Sequence, residues 1–245
     1  MLITASGVIG CGKSSLTKIL SEDLGSKAFY EPVKDNPVLP LFYEGNKRVE
    51  EGLAKTNPYA FLLQIYFLNM RFKSIKKAMQ EDNNVLDRSI YEDSIFMKMN
   101  YEQGHTSKVE WDIYKNLFDN MMEELPYASH KKAPDLMIYI YVNYDTMLKR
   151  IAKRGRKYEQ VKEDSSLIGY YKDLIDRYKD WVSTYAISPL LIIDGNCTDF
   201  VGNEENRQNV LDKVESKLVQ LGSLSQERFD AIKAKRDKEM NTYEQ

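Results

Sequence analysis

The chain alternates short apolar runs with longer segments in which apolar residues recur every three or four positions. Short apolar runs predict strands, and the three-to-four spacing predicts helices. The predicted strands are residues 1–6, 27–30, 84–87, 135–142 and 190–194. The predicted helices are residues 15–24, 58–80, 109–124, 145–154, 167–185 and 206–221. Strands separated by helices indicate an α/β fold, in which a parallel five-stranded sheet with right-handed crossovers is flanked by helices.

A glycine-rich loop lies between the first predicted strand and the first predicted helix. Its residues match the G-x-x-x-x-G-K-[ST] pattern of a phosphate-binding loop: Gly7-Val8-Ile9-Gly10-Cys11-Gly12-Lys13-Ser14. Glycines allow backbone N–H groups to turn inward around phosphates, and the helix N-terminus adds partial positive charge. The lysine of this pattern reaches the β- and γ-phosphates, and the hydroxyl that follows ligates Mg²⁺. The sequence therefore predicts a nucleoside triphosphate site.

Polar side chains also follow the other predicted strands. Glu31 follows the second strand, Asp87-Arg88-Ser89 ends the third, and Asp194 ends the fifth. Each alone is explained equally well by a surface or capping role, and residues 87–89 by a cap on the helix that follows. Parallel strands bring their carboxyl ends to one edge of the sheet, where ligands bind. Together with the loop, these residues predict a phosphate cradle, three carboxylates and an arginine at that edge.

Composition narrows the possible partners. The 245 residues show no internal repeat and no sign of a second domain. The net charge is −2, from 35 Lys and Arg against 37 Asp and Glu, which gives no overall field to attract a nucleic-acid polymer. Cys11 and Cys197 have neither metal-ligand spacing nor a disulfide framework. Without a signal peptide or an apolar run of membrane-spanning length, we expect a soluble, cytoplasmic protein without a membrane partner.

Several separated motifs resemble those of the deoxynucleoside kinases, and within them the bacterial deoxyadenosine and deoxyguanosine kinases, over roughly residues 1–220. The motifs are the loop with Ser15, Tyr30-Glu31-Pro32-Val33, Leu41-Phe42-Tyr43-Glu44, Ala60-Phe61-Leu62-Leu63-Gln64, Asp87 to Asp93 and Arg150 to Gln160. The resemblance implies a P-loop kinase fold with an arginine-rich lid. It assigns a kinase domain to residues 1–222, with the lid at about 150–162, an insertion at 45–57, and a charged tail at 223–245.

The reaction that the resemblance implies is transfer of the γ-phosphoryl group of ATP, with Mg²⁺, to the 5′-hydroxyl of a purine deoxynucleoside in nucleotide salvage. Glu31 then takes the hydroxyl proton, Arg88 contacts the 5′-oxygen and the transferring phosphoryl, and Lys13 holds the donor phosphates. Asp87 stands where many relatives carry Glu, and with Ser14 it is expected to hold the metal. The other donor-side residues are Gly7, Gly10, Gly12, Ser15, Arg150, Arg154, Arg156, Asp199 and Phe200.

The acceptor pocket is also expected from the resemblance. Gln64 and Arg71 are seven residues apart on one helix, so they share a face. With Asp93 they are expected to bind the base, and the arginine favours guanine through its O6 and N7 acceptors. Tyr43 and Glu159 are expected to hold the sugar 3′-hydroxyl. An internal ion pair of Arg71 with Asp93, and a core position for Tyr43, remain open alternatives.

Two other functions share the phosphate loop. A nucleoside monophosphate kinase would need basic residues near its acceptor, but residues 25–41 supply only Lys27 and Lys34. A nucleotide-binding switch that reads GTP would carry an N-K-x-D motif, and the sequence has none. The tail around residues 228–240 is either a surface or subunit-contact helix anchored by Phe229 and Ile232, or disordered. Relatives suggest a homodimer, or a heterodimer with a paralogue.

Overall fold

Five parallel strands form one sheet in the computed structural model, which describes residues 1–31, 33, 36–80, 82–128 and 133–243. Their order across the sheet is β2-β3-β1-β4-β5. The strands are β1 (Leu2–Ser6), β2 (Lys27–Phe29), β3 (Asn84–Asp87), β4 (Leu136–Tyr141) and β5 (Leu190–Asp194). The register pairs Leu2 of β1 with Asn84 of β3, and Ile3 with Leu136 of β4. The α/β prediction with a parallel five-stranded sheet is confirmed.

Helices connect the strands and cover the sheet. They are α1 (Lys13–Asp23), α2 (Leu39–Glu50), α3 (Ala60–Ala78), α4 (Asp93–Glu102), α5 (Lys108–Ala128), α6 (Tyr144–Arg154), α7 (Leu167–Ser183), α8 (Glu204–Gln220) and α9 (Gln226–Tyr243). Single 3₁₀ turns at Ile90–Glu92 and Lys157–Glu159 precede α4 and follow α6. None of the helices in the described parts of the chain combines the length and the apolar character that a membrane crossing requires.

The central strands are apolar because helices pack against both faces of the sheet. β1 is buried throughout, and β4 is buried from Leu136 to Ile140. One apolar cluster packs α1, α7 and α8 against the sheet. A second cluster joins β1 and β3 to α3, α4 and α5.

The predicted strands agree with the structure to within one residue at each end. The predicted helices begin and end within two residues of the observed ones, except that α5 continues four residues beyond residue 124 to Ala128. Helix α2 was not predicted, although it contains the predicted Tyr43, and α4 was expected only as the helix that follows residues 87–89. The first six residues of the predicted insertion at 45–57 are the last six of α2. The tail, for which helix and disorder were both open, forms α9.

Strand order places the phosphate loop at the centre of the sheet. The chain leaves β1 at Ser6, and β1 is flanked by β3 on one side and β4 on the other. Such a point, at which successive strands are added on opposite sides, opens a crevice at the carboxyl ends of a parallel sheet. Residues after β1, β2 and β3 therefore face one crevice.

Candidate active site

The loop between β1 and α1 has the backbone that its glycines predict. Gly7, Gly10 and Gly12 have φ values of 138°, 77° and 110°. A Cβ atom at Gly7 would lie 2.6 Å from the carbonyl oxygen of Ile140, so a side chain there would collide with the backbone of β4. Helix α1 begins directly at Lys13, and its free N–H groups face the loop. This concave backbone fits a phosphate chain.

The two reactive side chains of the loop are held by neighbouring polar groups. The ammonium group of Lys13 donates hydrogen bonds of 2.9 Å to the carbonyl oxygens of Gly7 and Val8. The hydroxyl of Ser14 donates to Oδ2 of Asp87 at the end of β3. Oδ1 of Asp87 is buried and has no hydrogen-bond partner among the described residues. Burial, and to a lesser extent the charge of Glu31, raise the pKa of Asp87 above its usual value, although Lys13 opposes them.

One cavity of about 720 Å³ joins the loop to the residues after β2 and β3. Its size is typical of small-molecule sites. Of the residues that the family resemblance assigned to the site, all but Gly7 line this cavity. The lining residues from that set are Gly10, Gly12, Lys13, Ser14, Ser15, Glu31, Tyr43, Gln64, Arg71, Asp87, Arg88, Asp93, Arg150, Arg154, Arg156, Glu159, Asp199 and Phe200. Ser89 and Asp194, which the strand ends also placed at this edge, do not line the cavity.

Two arginines enclose Glu31 at one end of the cavity. Nη2 of Arg71 lies 2.5 Å from Oε1 of Glu31, and Nε of Arg88 lies 3.2 Å from the same oxygen. The Arg71 guanidinium also forms an ion pair with Asp93. The internal ion pair that sequence analysis left open for Arg71 and Asp93 therefore exists, and both residues also line the cavity.

Neighbouring charges decide the ionisation of Glu31. Burial alone would raise the pKa of this carboxyl group, but Arg88, Arg71 and Lys13 outweigh it and lower the pKa below its usual value. The group is therefore a carboxylate at neutral pH. A carboxylate that faces the cavity beside the phosphate loop is able to accept a hydrogen bond from a hydroxyl group, and then its proton.

Glu159 occupies a buried position beside Tyr43. Its carboxylate accepts hydrogen bonds of 2.5 Å from Arg154 and 3.1 Å from Arg156. Tyr171 on α7 donates to the backbone oxygen of Glu159 at 2.9 Å, and the ring of Tyr43 packs against that of Tyr158. Two of the three predicted lid arginines are thus paired with Glu159, so contact with donor phosphates requires them to exchange partners.

The third lid arginine lies against the phosphate loop. Arg150 donates one hydrogen bond to the backbone oxygen of Cys11 and another, of 2.7 Å, to that of Gly195. Phe200 is buried, and its ring lies 3.0 Å from where a Cβ atom at Gly12 would be. Asp199 accepts hydrogen bonds from the backbone N–H groups of Gly202 and Val201, which lower its pKa. These residues line the end of the cavity away from Glu31.

Several residues of the site were not singled out from the sequence. Lys149 and Lys153 are exposed on α6 and line the cavity together with Arg150. Phe96 lies under the guanidinium of Arg88, with 5.0 Å between Cζ and the ring centroid. Glu92 and Tyr178 are fully buried behind Arg88. Glu92 lies inside a quoted motif, but its contacts with Ser6 and Tyr178, and that of Tyr178 with Arg88, join distant parts of the chain, which local spacing does not reveal.

Comparisons with known proteins agree with this geometry. Residues 3–220 match the family model described as deoxynucleoside kinase. A deoxyguanosine kinase of Lactobacillus johnsonii is 54% identical over 221 residues, which cover 90% of this chain and 94% of the relative. A deoxyadenosine kinase of Lactobacillus acidophilus is 49% identical over 223 residues, with 91% and 99% covered.

The comparison with solved structures also points to the deoxynucleoside kinases. The structure of deoxyadenosine kinase from M. mycoides with bound dATP superposes with a TM-score of 0.67 and 27% sequence identity, covering 87% of this chain and 99% of that one. The fold, the phosphate loop and the match over nearly the whole kinase region lead to one conclusion. The chain belongs to the deoxynucleoside kinase family.

Proposed function

We propose that this chain transfers the γ-phosphoryl group of ATP to the 5′-hydroxyl of a purine deoxynucleoside, as a step in nucleotide salvage. The observation that carries the proposal is the cavity that runs continuously from the phosphate loop to a carboxylate and two arginines. It provides one end for a phosphoryl donor and another for a hydroxyl acceptor. Relatives with 54% and 49% identity are kinases of deoxyguanosine and deoxyadenosine, which supports purine acceptors.

The donor end is suited to ATP. Backbone N–H groups of the loop and the N-terminus of α1 face the triphosphate, while Lys13 and Arg150 supply positive charge. Asp199 and Phe200 are assigned to the donor base. Arg154 and Arg156 are assigned to the phosphates when the lid closes, because both already line the cavity.

Ser14 and Asp87 suit a magnesium ion. Their hydroxyl and carboxylate oxygens are adjacent, and the second Asp87 oxygen is buried without a hydrogen-bond partner in the described chain. Oxygen ligands of this kind are those that Mg²⁺ prefers. When bound there, the ion would neutralise charge on the donor phosphates.

Glu31 and Arg88 are assigned to the transfer itself. The ionised Glu31 accepts a hydrogen bond from the 5′-hydroxyl, orients its oxygen and takes up its proton. Arg88 lies beside Glu31, and its fixed positive charge stabilises the phosphoryl group as it approaches. Most of the catalysis then comes from positioning and charge, as phosphoryl transfer requires.

The remaining acceptor residues are assigned to the sugar and the base. Tyr43 and Glu159 would hold the 3′-hydroxyl, and Gln64 with the Arg71–Asp93 pair would contact the base. Gln64 and Arg71 are both buried on the cavity face of α3, which supports this assignment. An amide side chain offers both a donor and an acceptor to a base edge. The pocket favours deoxyguanosine, with deoxyadenosine close behind.

A nucleoside monophosphate kinase is disfavoured by the charge at the acceptor end. Among the described residues there, the cations Arg71 and Arg88 are already paired with Glu31, Asp93 and Glu92. Neither of these two arginines is free to bind an acceptor phosphate. A monophosphate kinase activity would therefore require these carboxylates to move away from the two arginines.

The test is ADP release with ATP and Mg²⁺ in the presence of deoxyguanosine, of dGMP, and of no acceptor. We expect release with deoxyguanosine only, and kcat/KM values for both purine deoxynucleosides well above that for thymidine. Release with dGMP alone would support the monophosphate kinase, and equal release without acceptor would support a nucleotide switch. We also infer a dimer, which light scattering would check, and a cytoplasmic location, which cell fractionation would check.

A further inference from the structure

A buried carboxylate lies behind the phosphate loop and does not reach the cavity. Glu92, in the turn before α4, has no solvent exposure. Its Oε1 accepts a hydrogen bond of 2.8 Å from the backbone N–H of Ser89, and the Ser89 hydroxyl caps the turn in return. This reciprocal arrangement is a capping box, which explains one oxygen of the carboxylate.

The other oxygen makes contacts that a capping box does not require. Oε2 of Glu92 accepts hydrogen bonds of 2.8 Å from the Ser6 hydroxyl, 2.7 Å from the Tyr178 hydroxyl and 3.4 Å from the backbone N–H of Gly7. Ser6 ends β1 and Gly7 begins the phosphate loop, whereas Tyr178 belongs to α7. This one oxygen therefore connects the start of the loop to helix α7.

Tyr178 continues the connection to the acceptor end. Its hydroxyl oxygen accepts a hydrogen bond of 2.6 Å from Nη1 of Arg88, while its proton is donated to Glu92. The opposite edge of the same guanidinium lies 3.2 Å from Glu31. Arg88 is thus held from behind by Tyr178 and faces Glu31 on the cavity side.

Arg88 needs such support because its own backbone is unfavourable. Its φ of 81° lies in the left-handed region, which non-glycine residues rarely adopt and which costs free energy unless the surroundings compensate. Its guanidinium is also buried, so it requires compensating charge. Glu92, 3.7 Å from Nη1, supplies a carboxylate in addition to Glu31.

We propose that Tyr178 and Glu92 are positioning residues that fix the Arg88 guanidinium relative to the phosphate loop through the chain Arg88–Tyr178–Glu92–Gly7. The inference rests on the proposed function, since it assigns Arg88 to the transferring phosphoryl group. A guanidinium aligned to the donor phosphates in advance stabilises transition-state charge without reorganising. Neither Tyr178 nor Glu92 touches substrate, so their loss affects turnover more than acceptor binding.

The test is the Tyr178→Phe variant, which removes one hydroxyl and keeps both the ring and the Ser89–Glu92 cap. We expect kcat with deoxyguanosine to fall about tenfold, the effect of one buried hydrogen bond to a charged group. The KM for deoxyguanosine is expected to stay within about twofold, because Gln64, Tyr43 and Glu159 are untouched. The control is Tyr114→Phe, which removes another buried hydroxyl that has no hydrogen-bond partner among the described residues and is expected to leave kcat unchanged.

A double-mutant cycle with Arg88→Lys shows whether the effect passes through Arg88. Lysine lacks the guanidinium fork, so Tyr178→Phe is expected to cost less than about twofold in that background. A tenfold loss in both backgrounds, an unchanged kcat, or a KM that rises as kcat falls would overturn the inference. If the wild-type protein is inactive on every deoxynucleoside, both the proposed function and this inference are overturned. If the wild-type protein is active and the Tyr178→Phe variant has a normal kcat, only the inference is overturned.

Discussion

At the carboxyl end of β2, Glu31 lies between two buried guanidinium groups. The same carboxylate oxygen faces Arg71 at 2.5 Å and Arg88 at 3.2 Å. Burial works against its ionisation, but the two arginines and Lys13 more than compensate, and its pKa is lowered. A proton acceptor of this kind is a weak base that is always ionised, so its contribution comes mainly from orienting the hydroxyl and from its negative charge.

Glu31→Gln is expected to lower kcat by about 10²-fold, because the amide keeps the shape of the side chain but neither takes up the hydroxyl proton nor balances the arginines. Deoxynucleoside binding should change little, since the residues proposed to contact the base and the 3′-hydroxyl are unaltered. Steady-state kinetics with deoxyguanosine would measure both effects. A matched control is Asp194→Asn, which changes an exposed carboxyl group at the end of β5. A Glu31→Gln variant with near-normal kcat would remove Glu31 from the mechanism.

The pH dependence of kcat follows from the same charges. Because the pKa of Glu31 is lowered, the reactive carboxylate persists as pH falls and is lost only below the usual pKa of a glutamate, about 4.3. Arg71→Met removes one of the stabilising cations and is expected to move the acidic limb of kcat to higher pH. A pH–rate profile under saturating deoxyguanosine would show the shift. Identical acidic limbs in wild type and variant would mean that another group controls them.

At the scale of secondary structure, sequence pattern recovered the elements that depend on local composition and missed one that depends on contacts. The strands were predicted because their apolar runs are nearly continuous. Helix α2 was missed because Pro40, Gly45 and Asn46 weaken a helical pattern. Gly45 is required there because the side chain of Asn57 fills the space of a Cβ atom. Asn57 in turn donates to Phe42 and Asn46, contacts that no short window of sequence contains.

The same distinction holds for the site. Strand ends predicted that Glu31, Asp87 and Arg88 meet at the cavity, because a parallel sheet brings its carboxyl ends together, and the family resemblance supplied most of the other lining residues. Their roles remain predictions. The pairing of Arg154 and Arg156 with Glu159, and the connection from Arg88 through Tyr178 to Glu92, depend on side-chain directions that the sequence pattern does not encode.

Helices α3 and α4 together shape the proposed base pocket, through the ion pair that Arg71 makes with Asp93. The variant Arg71→Met with Asp93→Ala is expected to narrow the preference for purine deoxynucleosides over thymidine, because a site built for polar contacts rejects substrates that lack them. Competition assays with all four deoxynucleosides would measure the change in relative kcat/KM. The control removes a comparable ion pair on the surface of α7, through Arg177→Met with Asp173→Ala. An undiminished purine preference in the pocket variant would contradict this view of the pocket.

Across the whole molecule, the C-terminal helix is part of the packed structure although the family match ends at residue 220. Phe229 and Ile232 of α9 pack against the main apolar cluster, as the sequence predicted for an ordered tail. Arg236 is buried, and its Nη1 lies 2.6 Å from Asp23 at the end of α1 and 2.8 Å from Glu215 of α8. The tail thus reaches the helix that begins at the phosphate loop, from its opposite end.

The charges under α9 predict a pH-dependent stability. Burial, and then the adjacent Asp23 carboxyl group, raise the pKa of Glu215 to about 8, although Arg236 opposes this. The folded chain therefore keeps a proton that the unfolded chain releases near the usual glutamate pKa of about 4.3. The contribution of Glu215 to stability is complete below that pH and declines as pH rises towards 8.

Glu215→Gln is expected to remove this decline, because an amide cannot ionise yet still offers an oxygen to Arg236. The free energy of unfolding of the variant should therefore rise relative to wild type as pH increases from 5 to 8, while kcat stays unchanged because the cluster lies outside the cavity. Urea unfolding at a series of pH values would measure the two slopes. The control Glu205→Gln alters an exposed carboxyl group on the same helix and should keep the wild-type slope. Parallel slopes for Glu215→Gln and wild type would show that Glu215 is ionised throughout, with Arg236 outweighing its burial.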